Sequence, residues 1–272
     1  MRSLACIWLA CMVVLFTLPH AAQAQSAREL FQTGNDHSVM GEPGLALIAY
    51  EQAAALGLAE AAHKAAQSYH YGWAGSRNFR KAAGYYDQVI AAAESEYRVR
   101  EARTQRDAML RELADLASEA AIRRDLTTAE RYYNLGVDLG HGSAMSNLAD
   151  LYATGRYGWP RDEARARALY ERQAEQDPSD YGFWMLGLMY KEGRGGPVDF
   201  PRAAAAFQAM VDMGSTSGHM ELAKLYLEGK GVPRNRETAI ELLRQPCDTG
   251  VQEACELGGL TPAPMGPATG PL

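Results

Sequence analysis

Few side chains in this 272-residue chain have the type and spacing that chemistry requires. Cys247 and Cys255 stand eight residues apart in "CDTGVQEAC". Such a pair can form a disulfide, a redox couple or half of a metal site. C-x7-C is not the C-x-x-C of thioredoxin-like enzymes, and no further ligands cluster near it in sequence. His63 and His70 share a helical face, but seven residues at ~1.5 Å rise put them about 10.5 Å apart along the axis, too far to hold one metal. Both are therefore expected at the surface. Asp150, Glu192 and Glu228 recur near the ends of candidate helices, where acids are ordinary solvated residues. No G-x-S-x-G elbow, H-E-x-x-H, phosphate-binding glycine-lysine loop, dinucleotide glycine pattern or S-x-x-K is present. No catalytic residue, cofactor or metal ligand is predicted.

Arg2, the apolar run Leu4 to Leu18 and the small-x-small triplet Ala22-Gln23-Ala24 describe a secretory signal peptide over 1–24, cut after Ala24. About fifteen apolar residues are short for a bilayer, which needs roughly twenty, and no other stretch could span one. Cys6 and Cys11 leave with the leader. The expected location is the periplasm or the cell exterior, where a nearby cysteine pair oxidises. The chain carries 27 basic and 33 acidic residues, net charge −6. Removing Arg2 leaves 26 against 33, or −7, a balance that excludes nucleic-acid binding through a basic footprint.

Alanine and leucine dominate and no alternating run predicts a sheet, so the chain reads as all helix. An aromatic followed three positions later by glycine recurs at Phe31/Gly34, Tyr69/Gly72, Tyr152/Gly155, Tyr190/Gly193 and Tyr226/Gly229. Each is followed by small or apolar residues at intervals of three and four, as in "ALIAYEQAAALGLAEA" and "AIELLRQPCDTGVQEA". Small side chains on one face let a neighbouring helix approach closely. In "GHMELAKLYLEGKGVPRNRETAIELL", Leu222, Ala223, Tyr226, Gly229, Gly231, Val232 and Ala239 fall on the pattern of the Sel-one-like repeat (SLR), a longer relative of the tetratricopeptide repeat. Leu186, Gly187, Tyr190, Gly193 and Gly195 do so in the copy before it. The resemblance covers almost the whole chain after the leader. It implies a right-handed αα-solenoid of about six helix-turn-helix repeats over 25–260, followed by a disordered proline- and glycine-rich tail at 261–272.

One interval breaks the period. Tyr69 and Tyr152 are 83 positions apart, where neighbouring copies are 36 or 38 apart. An irregular repeat is hidden there, with a first helix at "LRELADLASEAA", no glycine loop, and a second helix over 129–144. The surplus, Tyr97 to Met109, is predicted to lengthen the first helix by about three turns, with Arg100, Arg103 and Arg106 as a solvated basic stripe. A contact arm is the other reading.

Cys247 then closes the sixth repeat and Cys255 begins a truncated seventh. An end repeat lacks a neighbour and must be capped, so a Cys247–Cys255 disulfide is expected to pin this fragment. Cysteine-rich members of the SLR family bridge successive helices at this spacing, which the resemblance carries over.

In this superfamily the first helix of each pair lines the concave face. Counting from the packing positions leaves His63, Gln67, His70 and Tyr71, then Ser146, Asp150 and Thr154, then Trp184 and Lys191, then Met220 and Lys224 as the surface for a partner, with Trp184 as its anchor. The resemblance implies a non-catalytic scaffold for protein–protein interaction in envelope assembly or signalling. Its alternatives are a polysaccharide-associated assembly factor and a β-lactam-binding or hydrolysing enzyme. Trp73 and Trp159 lie in loops, where each is expected to anchor its loop with a buried ring.

Overall fold

A computed structural model describes residues 20–92 and 95–262. The apolar run at 4–18 and most of the proline-rich tail lie outside the described residues. Among the described residues are thirteen α-helices, one short 3-10 turn and no strand. None of these helices is long and apolar enough to cross a membrane. The chain divides into two compact units, up to Asp115 and from Leu116 onward.

The first unit holds α1 (His20–Val39), α2 (Pro43–Ala55), α3 (Ala59–Tyr71), α4 (Phe79–Ala92) and the opening turns of α5 (Glu96–Ile122). The expected cut after Ala24 falls inside α1. α2 packs on α1, α3 on α2, and α4 on α3. Ala61, Ala62, Ala65 and Ala66 are wholly buried along α3, so the closest approaches are made through side chains no larger than a methyl group.

The second unit continues with the end of α5, then α6 (Leu126–Asp138), α7 (Gly142–Thr154), α8 (Glu163–Gln176), α9 (Asp180–Glu192), α10 (Phe200–Asp212), α11 (Thr216–Glu228), α12 (Arg236–Asp248) and α13 (Gln252–Gly258). Tyr133, Met145, Leu148, Tyr170, Met189, Phe207 and Met210 form its core. α6 ends at Asp138, short of the predicted 144, because Gly140 takes a left-handed φ of 77° and Gly142 already opens α7.

The signature aromatics act through their main chain. The carbonyls of Tyr69, Tyr152, Tyr190 and Tyr226 accept from the N–H groups of Asn78, Asp162, Asp199 and Asn235, at 2.8 to 3.0 Å. In all four loops the donor's own side chain then caps the next helix: Asn78 accepts from the amide of Lys81, Asp162 and Asp199 from those of Arg165 and Arg202, and Asn235 from those of Glu237 and Thr238. Each aromatic thus fixes the start of the second helix in its pair, and a capping acceptor there contributes about 1 kcal/mol. Gly231 shows why the loop needs its second glycine. Its φ is 73°, and a Cβ there would lie 2.3 Å from the backbone of Phe200 in the preceding repeat.

The irregular repeat has no such loop. α5 turns directly into α6 through Arg124, which takes a left-handed φ of 62° in place of glycine, and Asp125 caps α6 through the amide of Thr128. The predicted lengthening of the first helix is present, since α5 runs for 27 residues. Its basic stripe is not solvated throughout. Arg106 reaches Asp87 on α4 at 2.7 Å, Arg100 pairs with Glu96 on its own helix, and Arg103 stays exposed. Ala102 and Met109, on the same stretch, have no accessible surface.

Candidate partner-binding face

In the first unit the first half of α5 lies against α3. His63 and Gln67 donate to the Gln105 side-chain oxygen at 3.0 and 3.2 Å, and the Tyr86 hydroxyl reaches the same oxygen at 3.2 Å. Arg98 pairs with Glu60 at 3.2 Å. His70, expected at the surface, is only 3% exposed. Its Nε2 donates to Glu112 at 3.1 Å, and its Nδ1 faces the Tyr86 hydroxyl at 3.3 Å. Burial pulls the His70 pKa below the ordinary imidazole range, against the opposing pull of Glu112. Burial tends to raise the Glu112 pKa, but hydrogen bonds from Arg77 and His70 hold it below the usual carboxylate range. The α3 face is therefore occupied by the chain's own helix, and of the four residues predicted there Tyr71 alone is open. The extension over 97–109, predicted to carry a solvated basic stripe, supplies the Gln105 that meets His63 and Gln67, and Glu112 just beyond it meets His70.

In the second unit the predicted residues divide. Ser146 is buried and its hydroxyl bonds back to the carbonyls of Gly142 and Ser143 in its own helix, so it cannot meet a partner. Asp150 accepts from the Tyr170 hydroxyl at 2.6 Å and the Tyr181 hydroxyl at 2.8 Å. Burial and this carboxylate raise both phenols, Tyr181 to about 12 and Tyr170 further. Thr154 is exposed at the end of α7, donating to the Asp150 carbonyl at 2.6 Å. Trp184 is half-buried against the core, its ring 6.2 Å from that of Phe207. Lys191 and Lys224 both bond Glu221, at 2.6 and 3.0 Å, and Lys224 also reaches Glu253 at 3.0 Å. Met220 packs against the terminal cluster of Ala223, Leu243 and Cys247.

These contacts join first helices to one another. α7 meets α9 through Asp150 and Tyr181, α9 meets α11 through Lys191 and Glu221, and α11 meets α13 through Lys224 and Glu253. Sequence reasoning found the lysines but not the acid between them. Glu221 lies three residues before Lys224, a spacing that faces the two together, and Lys191 could be paired with it only once the register of α9 on α11 was known. Burial tends to raise the Glu221 pKa, yet the two lysines hold it low. A small cleft of about 180 Å³ opens beside Asp150, Thr154 and Tyr157. Among the described residues no group of histidine, cysteine and acidic side chains could hold a metal ion.

The loop tryptophans also divide. Trp159 is buried, edge-on to Tyr133 and Tyr152 at 6.2 and 5.8 Å. Trp73 is 53% exposed, contrary to expectation.

Cys247 and Cys255 are joined by a disulfide, their Cα atoms 4.8 Å apart. It ties α12 to α13 across the turn at Gly250, where φ is 93°.

The model of the Sel1 repeat family matches residues 59–89, 110–141, 142–178, 184–215 and 216–248, more than half of the chain. Among curated proteins, the ERAD-associated E3 ubiquitin-protein ligase component HRD3B of Arabidopsis thaliana is 30% identical over 132 residues, covering 44% of this chain and 22% of its own. Protein NMB1327 of Neisseria meningitidis serogroup B is 30% identical over 152 residues, 42% of this chain and 32% of its own. The chain thus spans a third or less of the length of these relatives. Among solved structures, the protective antigen c5321 of uropathogenic Escherichia coli, which displays an SLR fold, aligns over 89% of this chain and 51% of its own at 21% identity, with a TM-score of 0.46.

Proposed function

The chain belongs to the Sel1 repeat family, an all-α repeat solenoid family whose members are generally protein-interaction scaffolds, and from that premise we propose that this protein is a non-catalytic scaffold in the periplasm or outside the cell. Its first-helix face in the second unit grips a segment of a partner protein. The observation that carries this reading is the run of cross-helix contacts from Asp150 and Tyr181 through Lys191 and Glu221 to Lys224 and Glu253, which joins four successive first helices into a fixed polar surface with the Tyr181 ring exposed upon it. Aromatic anchors set among satisfied polar groups are what protein interfaces use. An oxidising location is supported by the Cys247–Cys255 bridge and by the leader-like sequence at 2–24.

The test is crosslinking in native cells, mass spectrometry of the captured neighbour, and titration of that neighbour against variants. Reversing the charge of Lys191 would bring two carboxylates together at Glu221, so a cleaner variant joins Thr154→Arg to Lys191→Met. Thr154 is exposed, and methionine keeps the aliphatic stem of the lysine. The expected result is at least a tenfold loss of affinity, about 1.4 kcal/mol, with unchanged helical ellipticity. Equal affinity would move the interface to another face.

A further inference from the structure

The loop after α3 carries a second surface, independent of the protein-docking reading above. Three rings follow one another in a stack. His70 lies 4.3 Å from Tyr71 at an interplanar angle of 18°, and Tyr71 lies 5.2 Å from Trp73 at 25°. The innermost ring is buried, while Tyr71 and Trp73 are 50% and 53% exposed. Gly72, between the two outer rings in sequence, takes a left-handed φ of 75°, and a Cβ there would lie 3.0 Å from the Arg77 side chain.

Arg77 supplies the polar edge. Its Nε donates to the His70 carbonyl at 2.8 Å, and its Nη2 pairs with Glu112 at 2.6 Å. The other oxygen of Glu112 accepts from His70. Both side chains remain more than a third exposed, so the guanidinium keeps spare N–H donors and the carboxylate keeps spare lone pairs. The two charges cancel. Ring stack and ion pair share His70, which fixes them relative to one another before any ligand arrives, and preorganisation of this kind lowers the entropy cost of binding.

The surroundings decide what could lie there. Among the described residues between Ile48 and Tyr97 in sequence, the exposed large apolar side chains are Tyr71 and Trp73. The nearby exposed positions are Gly75, Ser76 and Asn78. A pyranose ring has the matching chemistry: an apolar C–H face to stack on an aromatic ring and a rim of hydroxyls that donate to a carboxylate and accept from a guanidinium. We propose that the outer face of Trp73, backed by Tyr71, forms with Arg77 and Glu112 a binding platform for a neutral pyranose oligosaccharide.

Saturation-transfer NMR and calorimetry on the purified full chain would test this, with cellohexaose, maltohexaose and chitohexaose as probes and decaproline as the peptide control. At least one hexasaccharide should bind, and Trp73→Ala should weaken it by about tenfold or more. Because Trp73 is half exposed, that variant should keep the parental thermal midpoint. Three outcomes would each overturn the platform: no saccharide binding at millimolar concentration, equal binding by Trp73→Ala, or binding of decaproline with none of the sugars.

Discussion

Single residues in this chain show how burial and charge compete. His70 is held neutral inside the first unit, facing Tyr86 on α4, Glu112 on α5, the Arg77 guanidinium that shares Glu112, and the stacked Tyr71 ring. Its folded pKa lies below the unfolded value of about 6.5. As pH falls through that value the unfolded chain takes up a proton that the fold resists, so stability must fall. The thermal midpoint should therefore drop between pH 7.5 and 5.5, and His70→Gln should flatten that slope; an unchanged slope would mean the ring is not the group responsible. Glu221 is the opposite case, a nearly buried carboxylate kept ionised by Lys191 and Lys224. Truncation to alanine leaves both ammonium groups without their shared acceptor, and hydrogen bonds to charged groups contribute about 1.5 to 3 kcal/mol each when well buried. Because the lysines are about a third exposed, water replaces part of that, and Glu221→Ala should cost about 1 to 2 kcal/mol in urea denaturation.

At the scale of elements, the helices were legible because their determinants are local. The glycines after Tyr69, Tyr152, Tyr190 and Tyr226 cap their helices in the left-handed conformation, and the following Asp or Asn starts the next one. α5 was legible as a long helix for the same reason, since nothing between Tyr97 and Ile122 breaks it. What it covers was not legible. Periodicity identifies the apolar side of a helix but not the neighbour it meets, so His63, Gln67 and His70 could be assigned to a face without knowing that Gln105 and Glu112 would occupy it. Trp73 failed differently. A loop tryptophan buries only if the core offers space, and here the stack on Tyr71 holds the ring outside. The terminal disulfide was readable from spacing and compartment together. Closing so short a ring is worth about 2 to 3 kcal/mol by chain entropy. Thiol titration of native, air-oxidised protein should accordingly find neither Cys247 nor Cys255 free. Reduction should speed hydrogen exchange across α13 well before it affects α7 to α9; uniform acceleration would show that the bridge stabilises the unit as a whole.

At the scale of the molecule, helices in the second unit pack chiefly against the helices immediately before and after them in sequence. Stability in such an arrangement is close to a sum of repeat and nearest-neighbour terms, so the effect of a truncation depends on what the new end exposes. A chain carrying Cys247→Ser and ending after Gly250 loses α13 and uncovers Leu243 and residue 247, both fully buried in the parent. It should stay folded, with unchanged ellipticity per remaining residue and a lowered thermal midpoint. A chain ending after Gly214 also loses α11 and α12. Leu222 and Leu225 go with them, and Phe207 and Met210, which share their core cluster, are left at an open end. Large exposed apolar patches drive association, so this second truncation should aggregate at concentrations where the first remains monomeric by light scattering. If both truncations instead lose helical signal in one step, the unit folds as an indivisible whole, and the energy is not distributed repeat by repeat.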